Sequence, residues 1–300
     1  MPKIAMALLA GVVALGTTSA SATTVNTISN VVFIVDESGS MAGEQAFLEN
    51  TVVDGLDAGL AAAGVTNRSY AVVGFGGGGT GNLGDLVGPL TSDTTATKAA
   101  LNNLNTSGSF EDGYSAIDFA LNNISFTPGA AVNFILVTDE DRDNGNGALT
   151  TASILSSLSN SNILLNAVVD NELDADSTTP GTQRALGVDS DGNSYTADGS
   201  GGFNTGTNGA LTDADFGSTR ADYSQLALDT GGAVWDLNLL RAGGTTADSF
   251  ANAFIDIKVS EIISQPPTNG GPTPVPLPAA GWMLLAGLGG LVAMRRRRPA

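Results

Sequence analysis

Val31-Val32-Phe33-Ile34-Val35-Asp36-Glu37-Ser38-Gly39-Ser40-Met41 is the stretch on which the fold turns. Its first five residues are unbroken apolar, the pattern of a strand covered on both faces in a parallel sheet. A polar D-x-S-x-S segment follows at once. Working outward, apolar runs at 70–75, 132–137, 163–169 and 233–237 alternate with helical spacing at 44–63 (Phe47, Val52, Leu56, Leu60), 94–104, 112–121, 149–158, 223–228 and 247–263. That alternation predicts an α/β domain, a mostly parallel central sheet flanked by helices on both faces. Residues 170–218 break the rhythm. They are rich in Gly, Asp, Asn, Ser and Thr and read as a long insertion before the last helix-strand-helix. A hairpin is expected at Asp191-Gly192-Asn193, with one strand-like piece near 185–188.

Composition narrows the chemistry. The 300 residues carry 12 basic against 30 acidic side chains, a net charge of −18, and four of the basic ones are the terminal run Arg295 to Arg298. So acidic a surface repels phosphate backbones, and nucleic acid is not an expected partner. The chain has no Cys and no His. Thiolate and imidazole ligands, cysteine catalysis and the Ser-His-Asp triad are thereby excluded. Any metal must be held by oxygen.

Both ends read as addresses. Residues 1–22 have a Lys3 start, an apolar core from Ile4 to Leu15 and an Ala20-Ser21-Ala22 site, the pattern of a secretory signal peptide. Residues 265–278 form a Pro/Gly-rich linker, and 279–300 hold an uncharged stretch followed by the arginines. Sixteen apolar residues reach roughly 24 Å, slightly short of a bilayer core, with the arginines on the cytoplasmic side. This tail resembles the PEP-CTERM class of bacterial sorting signals in its Val-Pro-Leu-Pro-Ala variant, standing here as Val275-Pro276-Leu277-Pro278-Ala279. The resemblance implies an exosortase-type membrane protease that cuts near the motif and leaves the body at the cell surface or in the extracellular matrix. A permanent single-span anchor is the alternative.

In an open parallel sheet, loops at the carboxyl ends of strands form the binding crevice. Asp36, Ser38 and Ser40 stand at such an end, and Thr138-Asp139 stands at another. Hydroxyls and carboxylates without His or Cys suit a hard divalent cation, Mg²⁺ first, with Mn²⁺ or Ca²⁺ as alternatives. The plain alternative is that Asp36 and Ser38 cap the following helix.

From Asn30 to Ile263 the chain resembles the von Willebrand factor A domain: the strand leading into D-x-S-x-S, the Thr138-Asp139 loop, and Leu226-Ala227 through Thr230-Gly231-Gly232 before the last strand. The resemblance implies a Rossmann-like fold over residues 23–264 and a metal-ion-dependent adhesion site. Its third ligand loop commonly offers Thr. Here Glu111-Asp112-Gly113-Tyr114-Ser115-Ala116-Ile117 resembles the integrin β-subunit version, which implies Glu111 as ligand. The implied metal set is Asp36, Ser38, Ser40, Glu111 and Asp139, with an acidic group of a protein or matrix partner completing the ion's sphere.

Two departures stand out. Glu140-Asp141-Arg142-Asp143 replaces the family's usual Gly and reads as a solvated acidic loop rather than a second site. After Ser40 only Glu44 is acidic nearby, which makes an adjacent calcium site doubtful. Asp112 is expected to face a helix N-terminus, with an effect of about 0.3–1 kcal/mol. Asp189, Asp191 and Asn193 match the start of an EF-hand loop, but Ser194 and Ser200 replace its Gly and Glu, so a polar turn is expected. The expected function is a non-catalytic, metal-dependent binding or adhesion module. The alternatives are a matrix protein whose ion only stabilises the fold and a metal-assisted hydrolase.

Overall fold

Strand β1 (Ile28–Asp36) is buried at every residue after the first. The computed structural model describes residues 24–78, 82–266 and 275–276. The expected signal peptide, the apolar tail with its arginines and nearly all of the linker lie outside the described residues. Val25–Val275 forms one compact unit.

After β1 come α1 (Ala42–Phe47), a π-helical turn (Leu48–Val52) and α2 (Val53–Ala62), which follow one another without a break. Leu48, Val52, Leu56 and Leu60 recur every fourth residue, and all are buried, which makes this rod helical and fixes its inner face. Then follow β2 (Asn67–Phe75), β3 (Asp85–Thr91), α3 (Thr94–Asn102), α4 (Gly113–Asn123), β4 (Ala131–Thr138), α5 (Thr151–Asn160) and β5 (Ile163–Val169). The stretch read as an insertion holds β6 (Asn171–Asp174), β7 (Gly187–Asp189), β8 (Asn193–Ala197), β9 (Phe203–Thr207) and β10 (Ala210–Asp215). A second π-helical turn (Arg220–Ser224) leads into α6 (Gln225–Asp229), followed by β11 (Ala233–Asp236), α7 (Leu237–Arg241) and α8 (Gly244–Ser264).

The central sheet has nine strands in the order β9-β8-β7-β11-β5-β4-β1-β2-β3. Its middle five, β11 to β2, run parallel, and β3 and β7 join their ends antiparallel. Alternate residues serve opposite faces. Val32 and Ile34 enter the core made with Tyr114, Ile117, Ile154, Leu158 and Leu226 of α4, α5 and α6. Val31, Phe33 and Val35 are equally buried on the other face. On α8, Phe250 and Phe254 pack against Trp235 with ring centroids 5.8 and 5.2 Å apart. Each such side chain contributes about 1.5–3 kcal/mol on burial. The α/β class and the doubly wound, Rossmann-like layout expected from the sequence are observed.

The insertion differs from its reading as a mostly loop-like decoration. β7, β8 and β9 extend the central sheet, and β6 pairs with β10 as a separate two-stranded ribbon. These strands are short and polar, so no apolar run betrays them. Backbone pairing holds them in place, together with the buried Leu173 and Val188 and the stack of Tyr195 on Trp235 at 5.7 Å. The expected hairpin turns at Gly192. β3 was hidden by Gly88-Pro89, a pair tolerated because this strand lies on the sheet edge.

The chain passes from β1 to β2 on one side and later returns to β4 on the other. The switch point therefore lies between β1 and β4, with Asp36 and Asp139 at its carboxyl end.

Candidate metal centre

Asp36 ends β1 fully buried, with Oδ1 accepting from the Ser38 N–H at 2.6 Å and Oδ2 from the Thr138 hydroxyl at 2.8 Å. One carboxylate thus fixes both the turn of its own loop and the end of β4. The hydroxyls of Ser38 and Ser40 lie 3.1 Å apart, and Ser40 donates to Asp139 Oδ1 at 3.0 Å. Four of the five residues implied by sequence form one chain of contacts, and its mouth is open at the exposed Ser40. Burial pushes the Asp36 carboxyl up to about 6, against the lowering by its hydrogen bonds.

The fifth, Glu111, precedes α4. It is 1% exposed, yet neither carboxylate oxygen accepts from a donor, and its side-chain neighbour is another carboxylate, Asp143. Its loop is tied down at the backbone instead: the Glu111 N–H donates to Asp143 Oδ2 at 2.8 Å, and its carbonyl accepts from the Asp143 N–H at 2.9 Å. Gly76 sits between Glu111 and Asp36. A Cβ there would lie 3.2 Å from Glu111 Cγ and 3.4 Å from Asp36 Oδ1, and its φ of 79° favours glycine besides. Gly108 allows the same close approach, since a Cβ would meet the Gly76 carbonyl at 1.8 Å. Burial first, then the charges of Asp36, Glu140 and Asp143, push the Glu111 carboxyl up to about 8. A buried carboxyl with no donor holds its proton, and a cation beside it would favour the ionised form. Among the described residues no three acidic side chains are grouped closely enough to hold a metal, Asp36, Glu111 and Asp139 included. The donor set here is mixed, two hydroxyls with carboxylates.

Asp112 needs a correction. It does cap α4, accepting from the Ser115 N–H at 3.4 Å and the Ser115 hydroxyl at 2.8 Å. It also forms an ion pair with Arg142 at 2.6 Å, the two side chains being 0% and 8% exposed. Far more than a helix-dipole effect rests on it. The acidic loop after β4 is likewise engaged rather than merely solvated. Asp143 holds the Glu111 backbone, and Asp141 accepts from the Ser218 N–H and hydroxyl, each at 3.2 Å. Asp189 is consumed by its own turn, accepting from Asp191, Asn193 and, at 2.6 Å, the Tyr195 hydroxyl.

Sequence reasoning missed two contributors. Glu37, 1% exposed, accepts from the Asn105 N–H at 2.7 Å and from Asn82 Nδ2 at 3.1 Å, which binds the loops after β2 and α3 to the crevice. Arg241 donates to Asp139 Oδ2 at 2.8 Å and to Glu44 Oε1 at 2.7 Å. Burial would lower the Arg241 pKa, and the hydrogen bonds to Glu44 and Asp139 raise it instead. The only signal for Arg241 was scarcity: every Lys and Arg among the described residues is ion-paired. A cavity of about 420 Å³ between the β7–β8 turn and α8 contains none of these crevice residues.

No protein-family model matches the chain, and no curated protein does. Solved structures that are similar include three of different origin. A von Willebrand factor type A protein from Catenulispora acidiphila has 21% identity over 48% of this chain and 33% of its own, with a TM-score of 0.34. Proximal thread matrix protein 1 of the mussel byssus has 14% identity over 49% and 38%, with a TM-score of 0.37. An aerotolerance-related membrane protein from Bacteroides fragilis, carrying multiple mutations to serines, has 18% identity over 78% and 99%, with a TM-score of 0.40. The chain thus spans only 33% and 38% of the length of the first two. The α/β assignment stands on the sheet and helices described above, not on these likenesses.

Proposed function

We propose that the crevice between β1 and β4 holds one divalent cation, Mg²⁺ first, and that the protein is a non-catalytic binding module presenting that ion to an acidic group of a protein or matrix partner. The observation that carries this reading is Glu111: a buried carboxylate with no hydrogen-bond donor, facing Asp36 across Gly76. Asp36, Ser38, Ser40, Glu111 and Asp139 would hold the ion. When bound, such an ion supplies an electrophilic position that a partner's carboxylate can complete. Ser40 donates a hydrogen bond to Asp139, which leaves an oxygen lone pair for the cation. Asp36 keeps the loop in shape through Ser38 and Thr138. With neither His nor Cys in the chain, binding is favoured over turnover. Export, and processing by an exosortase-type protease, rest on residues 1–22 and 275–298 of the sequence alone. Among the described residues no helix is long and apolar enough to cross a membrane.

A pull-down from envelope extract tests the reading. Partners retained in Mg²⁺ should be lost in EDTA and with Ser40→Ala. That variant removes one exposed hydroxyl, whereas Asp36→Ala would also unpin β4. Equal retention by wild type and Ser40→Ala in both conditions would count against it.

A further inference from the structure

The crevice residues leave Glu44 and Arg241 without a role. Glu44 lies in the first turn of α1, and its side chain is 5% exposed. One oxygen binds Arg241 Nε at 2.7 Å, and the other finds no partner. The carboxylate borders a void of about 10 Å³ lined by Phe47, Leu48, Leu240 and Phe250, too small to offer it more than a single water. Arg241 Nη2 also donates to Asp139 Oδ2 at 2.8 Å and to the Ser40 carbonyl at 3.3 Å. Two buried carboxylates and a main-chain carbonyl therefore converge on one guanidinium. These are hard oxygen donors of the kind that bind Ca²⁺.

We infer that Arg241 is a resident cation: its guanidinium fills a second cation-binding position, formed by Glu44, Asp139 and the Ser40 carbonyl, that a divalent ion occupies once the guanidinium is removed. The arrangement has a consequence for the neighbouring crevice. With Oδ2 held by Arg241, Asp139 offers the crevice Oδ1, the oxygen that accepts from the Ser40 hydroxyl. The inference deepens the cation reading, on which only the first equivalent rests.

Calcium titration by calorimetry of the EDTA-stripped full chain tests it, with melting temperature as a second readout. Wild type is expected to take one equivalent, and Arg241→Ala and Arg241→Gln two. Arg241→Lys keeps a positive charge and should stay at one. Both neutral variants should melt lower than wild type in EDTA and recover most of the loss in Ca²⁺, which a purely structural contact would not do. No additional equivalent in the neutral variants, or no recovery with Ca²⁺ (insolubility with and without the ion included), would overturn the inference. The two readings separate: none in wild type and one in Arg241→Ala keeps the resident cation and removes the crevice site. One equivalent in both proteins does the reverse.

Discussion

Asp112→Ala should destabilise the protein by about 3–5 kcal/mol, the usual cost of breaking one side of a buried ion pair. The stranded partner is Arg142, 8% exposed, which would keep only the carbonyls of Leu149 and Asn146, at 2.8 and 2.9 Å, and the face of the Tyr114 ring at 4.3 Å. Burial alone would raise the Asp112 pKa; Arg142 and Ser115 overcome that and hold it below the usual carboxylate range. Its contribution is therefore present above the unfolded value and lost only as pH falls through the lower folded one. Asp112→Asn keeps an N-cap acceptor and loses the charge. The difference between the Asn and Ala variants measures the cap, about 0.5–2 kcal/mol. Urea unfolding in EDTA reads all three proteins. A loss below about 1 kcal/mol for Asp112→Ala would return Asp112 to a helix-dipole role.

Glu111 works in the opposite sense. Its carboxyl is pushed up from 4.5 to about 8 by burial and by neighbouring acids. Between those values the folded protein binds more protons than the unfolded one, so without a cation stability falls as pH rises through the window and is fullest below it. Each unit is worth about 1.4 kcal/mol, or about 3–5 kcal/mol across the window. Glu111→Gln cannot ionise. Urea unfolding in EDTA should show the variant gaining on wild type by about that amount from pH 4 to pH 9, the comparison cancelling the raised carboxyl of Glu37, while Asp36, coupled to Glu111, changes with it. A pH-independent difference would show that Glu111 is not strained as an anion.

Local pattern made the centre of the sheet readable. The runs 31–35, 132–137 and 163–169 had to be buried on both faces, and D-x-S-x-S directly after the first of them placed Asp36 at a strand's carboxyl end. What stayed hidden depends on distance in sequence. Thr138 and Asp36 are 102 positions apart, and Arg241 reaches 197 positions back to Glu44; strand order sets both contacts, and no local periodicity carries it. Asp112 looked like a cap because the cap is local, while its Arg142 partner arrives from the loop after β4. The strands of the insertion are polar, and their signal is backbone pairing, which side chains such as those of Asn204, Thr205 and Gly206 do not announce.

The crevice is expected to bind one cation through Glu111 and its neighbours. The most direct measurement is a Mg²⁺ titration by calorimetry at pH 7 in two buffers of different ionisation heat, for wild type and Glu111→Gln. Wild type should bind one equivalent and release close to one proton, because a ligand carboxyl that is mostly protonated without the ion must ionise to hold it. Its melting temperature should rise as mass action requires, with about 2.7 kcal/mol gained at a hundredfold excess over Kd. Glu111→Gln should bind far more weakly and release no proton. No heat and no melting shift in wild type with Mg²⁺, Mn²⁺ or Ca²⁺, or identical binding by the variant, would contradict the account.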